Sequence, residues 1–189
     1  MVNGPMKSEI NSSSLTHLPP SFGLLKHLRL LWLHNNRLNQ PDSFPDSFWT
    51  LPSLANLDLS DNGLSDLSPT VAGLVSLDLL DLSNNSLSTL PSEVGQLPLL
   101  RILLLPSNHI ESLPSSLAHC PSLLDLDLSE SVLDSLPEGI DLLSDLDIYL
   151  GGVSGGLLWL DEVAALEHSN SLFFHSQTYR EYNRPQPFS

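Results

Sequence analysis

Residues Leu77–Pro91 read LDLLDLSNNSLSTLP, and Leu77, Leu80, Leu82, Asn85, Leu87 and Leu90 among them spell L-x-x-L-x-L-x-x-N-x-L-x-x-L. Copies of this pattern begin at Leu28, Leu54, Leu77, Leu100 and Leu123, the last four at intervals of 23 residues. A fixed period of that length marks a repeat architecture. Each unit is too small to bury its own apolar face and does so only against its neighbours.

The spacing within the unit sets the local geometry. In L-x-L, alternate side chains point to opposite sides of a strand, so Leu80 and Leu82 face inward while Leu79 and Asp81 face out. Each unit therefore gives one short strand, and stacking the strands in parallel at about 4.8 Å lines the leucines into columns. Pro19, Pro45, Pro91, Pro114 and Pro137 each follow a column residue and fix φ where the chain turns away from the strand. The returning half is helical turn or irregular coil. Strands lie closer together than such returns can, which predicts a curved parallel sheet with the strands on the concave side. Asn36, Asn62, Asn85 and Asn108 form a further column, where an inward amide satisfies turn N–H and C=O groups that leucine cannot.

Outward from this unit, the chain divides into three parts. Residues 1–14 are a partial N-terminal repeat or tail, in which Ile10 falls where Leu82 does. Residues 15–145 are the array, one half repeat followed by five full ones. The first full unit has 26 residues, its surplus around Gln40-Pro41-Asp42 bulging from the surface, and Ser131 stands where unit five should have asparagine. Residues 146–189 are a degenerate repeat, with Tyr149 and Gly151 in leucine positions, followed by a cap or tail. There, residues 157–168 have the apolar spacing of an amphipathic helix, and Phe173-Phe174 are candidates to cover the open end. The abrupt start within a unit suggests a piece of a longer array.

LDLSNNSLSTLPSEVGQLPLL and LLLPSNHIESLPSSLAHCPSL resemble the 23-residue L-x-x-L-P-x-x-h-x-x-L class of leucine-rich repeat proteins. These are intracellular proteins of the Ras-suppressor and scribble type and the plant Ras-group-related type. The resemblance covers about residues 10–145. It implies an α/β fold, a right-handed solenoid with helical turns or coil on the convex face. It also implies a cytoplasmic, non-catalytic scaffold that binds a protein or peptide in signal transduction. The alternative is a regulatory fragment of a larger kinase, cyclase or phosphatase.

The composition narrows the partner. Asp and Glu number 22 against 7 Lys and Arg, a formal charge of −15, which repels nucleic acid and anionic lipid and favours a partner with a basic patch. Cys120 is the single cysteine, so no disulfide forms within the chain and a reducing compartment is the simplest reading. The first 14 residues lack the apolar run and cleavage site of a secretory signal, and no apolar run reaches the roughly 18 residues of a membrane-spanning helix. Asn11 and Asn84 open glycosylation patterns of a kind that arises often by chance. Nothing in the sequence sets the oligomeric state.

The outward strand positions carry the candidate site. Leu30, Leu79, Ile102 and Leu104 gain nothing by facing water and mark a partner surface. Trp32, flanked by His34, is the expected anchor, with Asp58, Asp81, Asp125 and Asp127 steering a basic partner. Against this, LDLS is the common form of the repeat itself, so those aspartates also read as consensus. Catalytic chemistry is not expected: His34 near Asp58 has no nucleophile to serve, and Cys120 beside His119 reads as a small buried thiol. Gly151-Gly152 and Gly155-Gly156 lack the spacing, lysine and hydroxyl of a phosphate loop and read as a hinge. No cofactor is expected, and no Cys or His pair has metal-ligand spacing.

Overall fold

The computed structural model describes residues 6–10 and 14–153, and the backbone of residues 171–173. Strands β1 (Met6–Glu9), β2 (Leu28–Trp32), β3 (Asn56–Asp58), β4 (Leu79–Asp81), β5 (Ile102–Leu104), β6 (Asp125–Asp127), β7 (Asp147–Tyr149) and β8 (Ser171–Phe173) form one parallel sheet in sequential order. This is the curved, open sheet of a leucine-rich repeat solenoid. The strand leucines Leu31, Leu57, Leu80, Leu103 and Leu126 are fully buried and belong to one core running from Leu18 to Leu150.

Each return is a single 3-10 turn, as at Asp46–Thr50, Pro69–Gly73, Ser92–Gln96 and Ser115–His119. Pro45, Pro91 and Pro114 cap three of these turns with φ of −67°, −67° and −66°, and Pro19 caps the turn Pro20–Leu24 with φ of −68°, the value the pyrrolidine ring imposes; Ser68 caps Pro69–Gly73. Each turn drops one or two apolar side chains into the core: Phe48 and Trp49, Val71, Val94, and Leu117 and Ala118 in the four named. Neighbouring returns touch closely: a Cβ on Gly95 would lie 2.3 Å from the backbone oxygen of Ser116.

Two columns of polar backbone and side-chain bonds tie unit to unit where the chain leaves the strand. Asn85 Oδ1 accepts from the N–H of Asn62 (3.1 Å) and Leu64 (2.9 Å), while its amide donates to the carbonyls of Leu59 (3.1 Å) and Leu82 (2.9 Å). Asn36, Asn62 and Asn108 repeat the arrangement, as expected from their spacing. The residue before each of the four is held at positive φ, Asn35 (56°), Asp61 (55°), Asn84 (53°) and Ser107 (55°), and so is Glu130 (58°) before Ser131. Asn and Asp tolerate this left-handed region better than most residues. Their N–H groups reach forward, as from Asn84 to Pro106 (2.9 Å) and from Glu130 to Gly151 (2.8 Å).

Both ends differ from the sequence expectation. Met6–Glu9, inside the stretch expected as a partial repeat or tail, adds a strand that pairs with β2, with an irregularity between Met6 and Lys7. At the other end Ile148 and Leu150, not Tyr149 and Gly151, enter the leucine columns, since Leu126 pairs with Ile148. The cause is one missing residue after buried Leu146. In earlier units two successive N–H groups share a carbonyl, as Leu124 and Asp125 share that of Arg101; here Asp147 alone binds that of Leu124 (2.7 Å). Gly152 then falls in the left-handed position at φ 69°. Strand β8 extends the sheet beyond it. The expected helix over 157–168, Gly155-Gly156 and Phe174 lie outside the described residues.

Candidate functional site

Strand register sets two outward columns side by side on the concave face. One runs Lys7, Leu30, Asn56, Leu79, Ile102, Asp125, Asp147; the other runs Glu9, Trp32, Asp58, Asp81, Leu104, Asp127, Tyr149. Leu30, Leu79 and Ile102 are half-buried, so each keeps part of its apolar surface open. Trp32 is half-buried as well, and Lys7 Nζ sits 4.4 Å from its ring centroid, a cation–π contact supplied by the strand that sequence reading missed. The alternation of Lys7 and Glu9 with Ser8 and Ile10 is the only sequence trace of that strand, and without a leucine it is faint.

The second column closes over in its later half, which corrects the expected surface. Asp81 is 6% exposed, Leu104 3%, Asp127 0% and Tyr149 8%. Leu104 packs with Tyr149 and Ile102 in a small apolar cluster of its own, separate from the leucine core. Leu104, Asp81 and Asp127 therefore support the face from within it and offer a partner no surface in this structure.

The aspartates of the column have a local task. Asp58 Oδ1 accepts from the Ser60 N–H (2.9 Å) and hydroxyl (2.6 Å), and Asp81 does the same with Ser83. Asp127 accepts from the Ser129 N–H at 2.9 Å. The D-x-S of LDLS is thus a turn-forming pair at the strand exit, in which the side chain supplies the acceptor that the ladder no longer does. The consensus reading of these residues has a physical basis.

Asp58 and His34 do come together, with His34 Nδ1 3.1 Å from Asp58 Oδ2. Burial, and next the negative charge of Asp81, push the Asp58 carboxyl above its usual range; the Ser60 bonds and His34 pull it back only in part. Asp125, half-buried, is raised too, by burial and then by Asp147, against the pull of Arg101. Asp58 and Asp125 thus hold their protons more tightly than free carboxyls, chiefly because they are partly buried.

The remaining chemical candidates separate. Cys120 is buried with its thiol toward the Leu97 carbonyl (3.7 Å), whereas the His119 ring contacts the Ser115 carbonyl (3.3 Å). Burial raises the Cys120 thiol above its ordinary value, which keeps it protonated and unreactive. Among the described residues no three His, Cys, Asp or Glu are grouped to hold a metal ion, and no helix is long and apolar enough to cross a membrane.

Two family models match the chain, each described as leucine rich repeat, over residues 27–51 and 52–110. Residues 27–110 are leucine-rich repeats. Podocan of Mus musculus is 42% identical to it over 60 residues, 31% of this chain and 10% of podocan. A leucine-rich repeat protein of Leptospira interrogans superposes with a TM-score of 0.79 at 31% identity, over 89% of this chain and 42% of its own. A chain in the structure of the Drosophila Toll–Spatzle complex superposes with a TM-score of 0.63 at 25% identity, over 74% of this chain and 19% of its own. The chain thus spans a tenth of podocan and less than half of the Leptospira protein.

Proposed function

We propose that the chain is a non-catalytic recognition module of the cytoplasm whose concave face binds a protein or peptide, as part of a signalling scaffold. The observation that carries the reading is the open apolar stripe of Leu30, Leu79 and Ile102, with Trp32 beside it, on a face whose other outward groups are mostly carboxylates. An aromatic and aliphatic centre with charge around it is the usual make-up of a protein-binding surface. Asp58 and Asp125 steer the basic side of the partner by their negative charge. His34 completes the rim beside Asp58. Likeness to a complex-forming repeat protein supports the assignment to protein binding, and the buried lone thiol suits a reducing compartment.

The test is affinity purification with the wild type and with a Trp32→Ala/Leu79→Asp variant. Both residues are partly exposed, so the variant keeps the leucine columns. Selective loss of one or more co-purifying proteins from the variant is the expected result. Retention of all of them by a variant that melts like the wild type rules the concave face out.

A further inference from the structure

Unit one departs from the repeat in two ways that meet at one place. Its three surplus residues do not hang free: Ser43 Oγ accepts from the Gln40 N–H (3.0 Å) and donates to the Thr16 carbonyl (2.7 Å), and the Ser43 carbonyl accepts from Leu18 (2.8 Å). The insertion is pinned to the unit before it. Unit one also places Trp49 where later units have Ala72, Gly95 and Ala118. Trp49 lies 5.2 Å from Phe44 and 5.0 Å, edge to face, from Phe48, counted between ring centroids. Insertion and aromatic cluster together overhang the flank of units two and three.

Beneath that overhang lies a cavity of about 530 Å³. Half-buried Phe44 and Pro91 and exposed Pro41 and Pro69 give it an open apolar lining, over the nearly buried side chains of Trp49, Leu64, Leu67 and Leu90. Its size lies within the roughly 300–1,000 Å³ of ordinary ligand pockets. The charged residues lining it are Asp46 and Asp66, both exposed, and no cation lines it. Asn39, Ser65 and Thr89 bring exposed amide and hydroxyl groups to the same cavity.

We propose that this cleft is a second docking site, for a short segment of a partner protein that presents an apolar side chain next to lysine or arginine. Phe44 and the prolines take the apolar side chain, and Asp46 and Asp66 take the flanking cation. Anionic ligands are excluded by the two carboxylates and by the chain's charge of −15. The site lies on the flank, outside the two strand columns, and is occupied independently of the concave face. A partner with two such segments, or two partners, can engage both surfaces at once.

The probe is a set of fluorescein-labelled peptides selected on the full chain from a phage-displayed random dodecamer library. The expected peptides carry an apolar residue adjacent to Lys or Arg. Their affinity should fall at least about tenfold for Asp46→Lys/Asp66→Lys and for Thr89→Trp, which fills the cleft, and should be unchanged for Trp32→Ala. Methyl resonances of Leu64, Leu67 and Leu90 in the wild type should shift on titration, which tests the site without any variant. The proposal is overturned if selection yields no binder, if the selected peptides lack basic residues, or if those methyls do not move. It is equally overturned if affinity responds to Trp32→Ala and not to the cleft variants, a result that would leave the concave-face reading standing.

Discussion

At the scale of single residues, the asparagine column shows how a repeat closes its polar accounts. Asn85 serves backbone groups of its own unit and of the one before, so Asn85→Ala leaves several buried groups unpaired. The expected loss is about 1–3 kcal/mol in a denaturant titration. The same logic runs in reverse at Ser131, whose buried hydroxyl has no hydrogen-bond partner. Ser131→Asn should continue the column and raise stability by about 1 kcal/mol; a lower midpoint would show that unit five has repacked around serine. Asp58 gives a pH-dependent counterpart. Its acid form is favoured in the folded state, by burial and by Asp81, against the opposing Ser60 bonds and His34. The native chain thus holds this proton more tightly than the unfolded one, and stability tied to Asp58 falls as pH rises through the carboxylate range. Asp58→Asn keeps the Oδ1 acceptor for Ser60 and removes the charge. It should melt higher than the wild type at pH 7, with the difference vanishing near pH 3.

At the scale of elements, the strands and the asparagine turns were legible in the sequence because both follow from spacing alone. Period 23 puts Leu57, Leu80, Leu103 and Leu126 opposite one another whatever else surrounds them. Elements whose residues break the spacing were not legible. MKSE carries no leucine, so nothing in the partial repeat or tail of residues 1–14 marked β1 as a strand, and the residue missing after Leu146 moved Ile148 and Leu150 out of the counted positions. The candidate site was legible as a set of columns but not as a surface. Burial of Leu104 depends on Tyr149 two units on, and the cleft under unit one depends on an insertion whose fold no pattern specifies. The returns make their own demand: Gly95 lies so close to Ser116 that a side chain forces the two turns apart. Gly95→Val should cost about 1–3 kcal/mol through overpacking, whereas the same exchange at exposed Gln96 should cost little. Thermal melts of the two variants decide it.

At the scale of the whole molecule, the leucine columns hold together a chain whose surface repels itself. With a net charge of −15 spread over a thin solenoid, self-repulsion opposes the compact state. Raising ionic strength from about 0.01 M to 0.15 M shortens the screening distance from about 30 Å to 8 Å. The midpoint of thermal unfolding should therefore rise with added sodium chloride over that range. A midpoint independent of salt would mean that the carboxylates are already matched within the fold, as Asp78 is by Arg101.

The insertion of unit one also bears on how the chain finds its fold. An array of equal units is degenerate: a strand shifted by one whole repeat still sets leucine against leucine, and such slips are the characteristic misfolds of tandem sequences. The 26-residue unit lifts that degeneracy, because only one alignment seats Ser43 against Leu18 and Thr16 and packs Phe44, Phe48 and Trp49 together. It acts as an index mark from which the remaining repeats are counted.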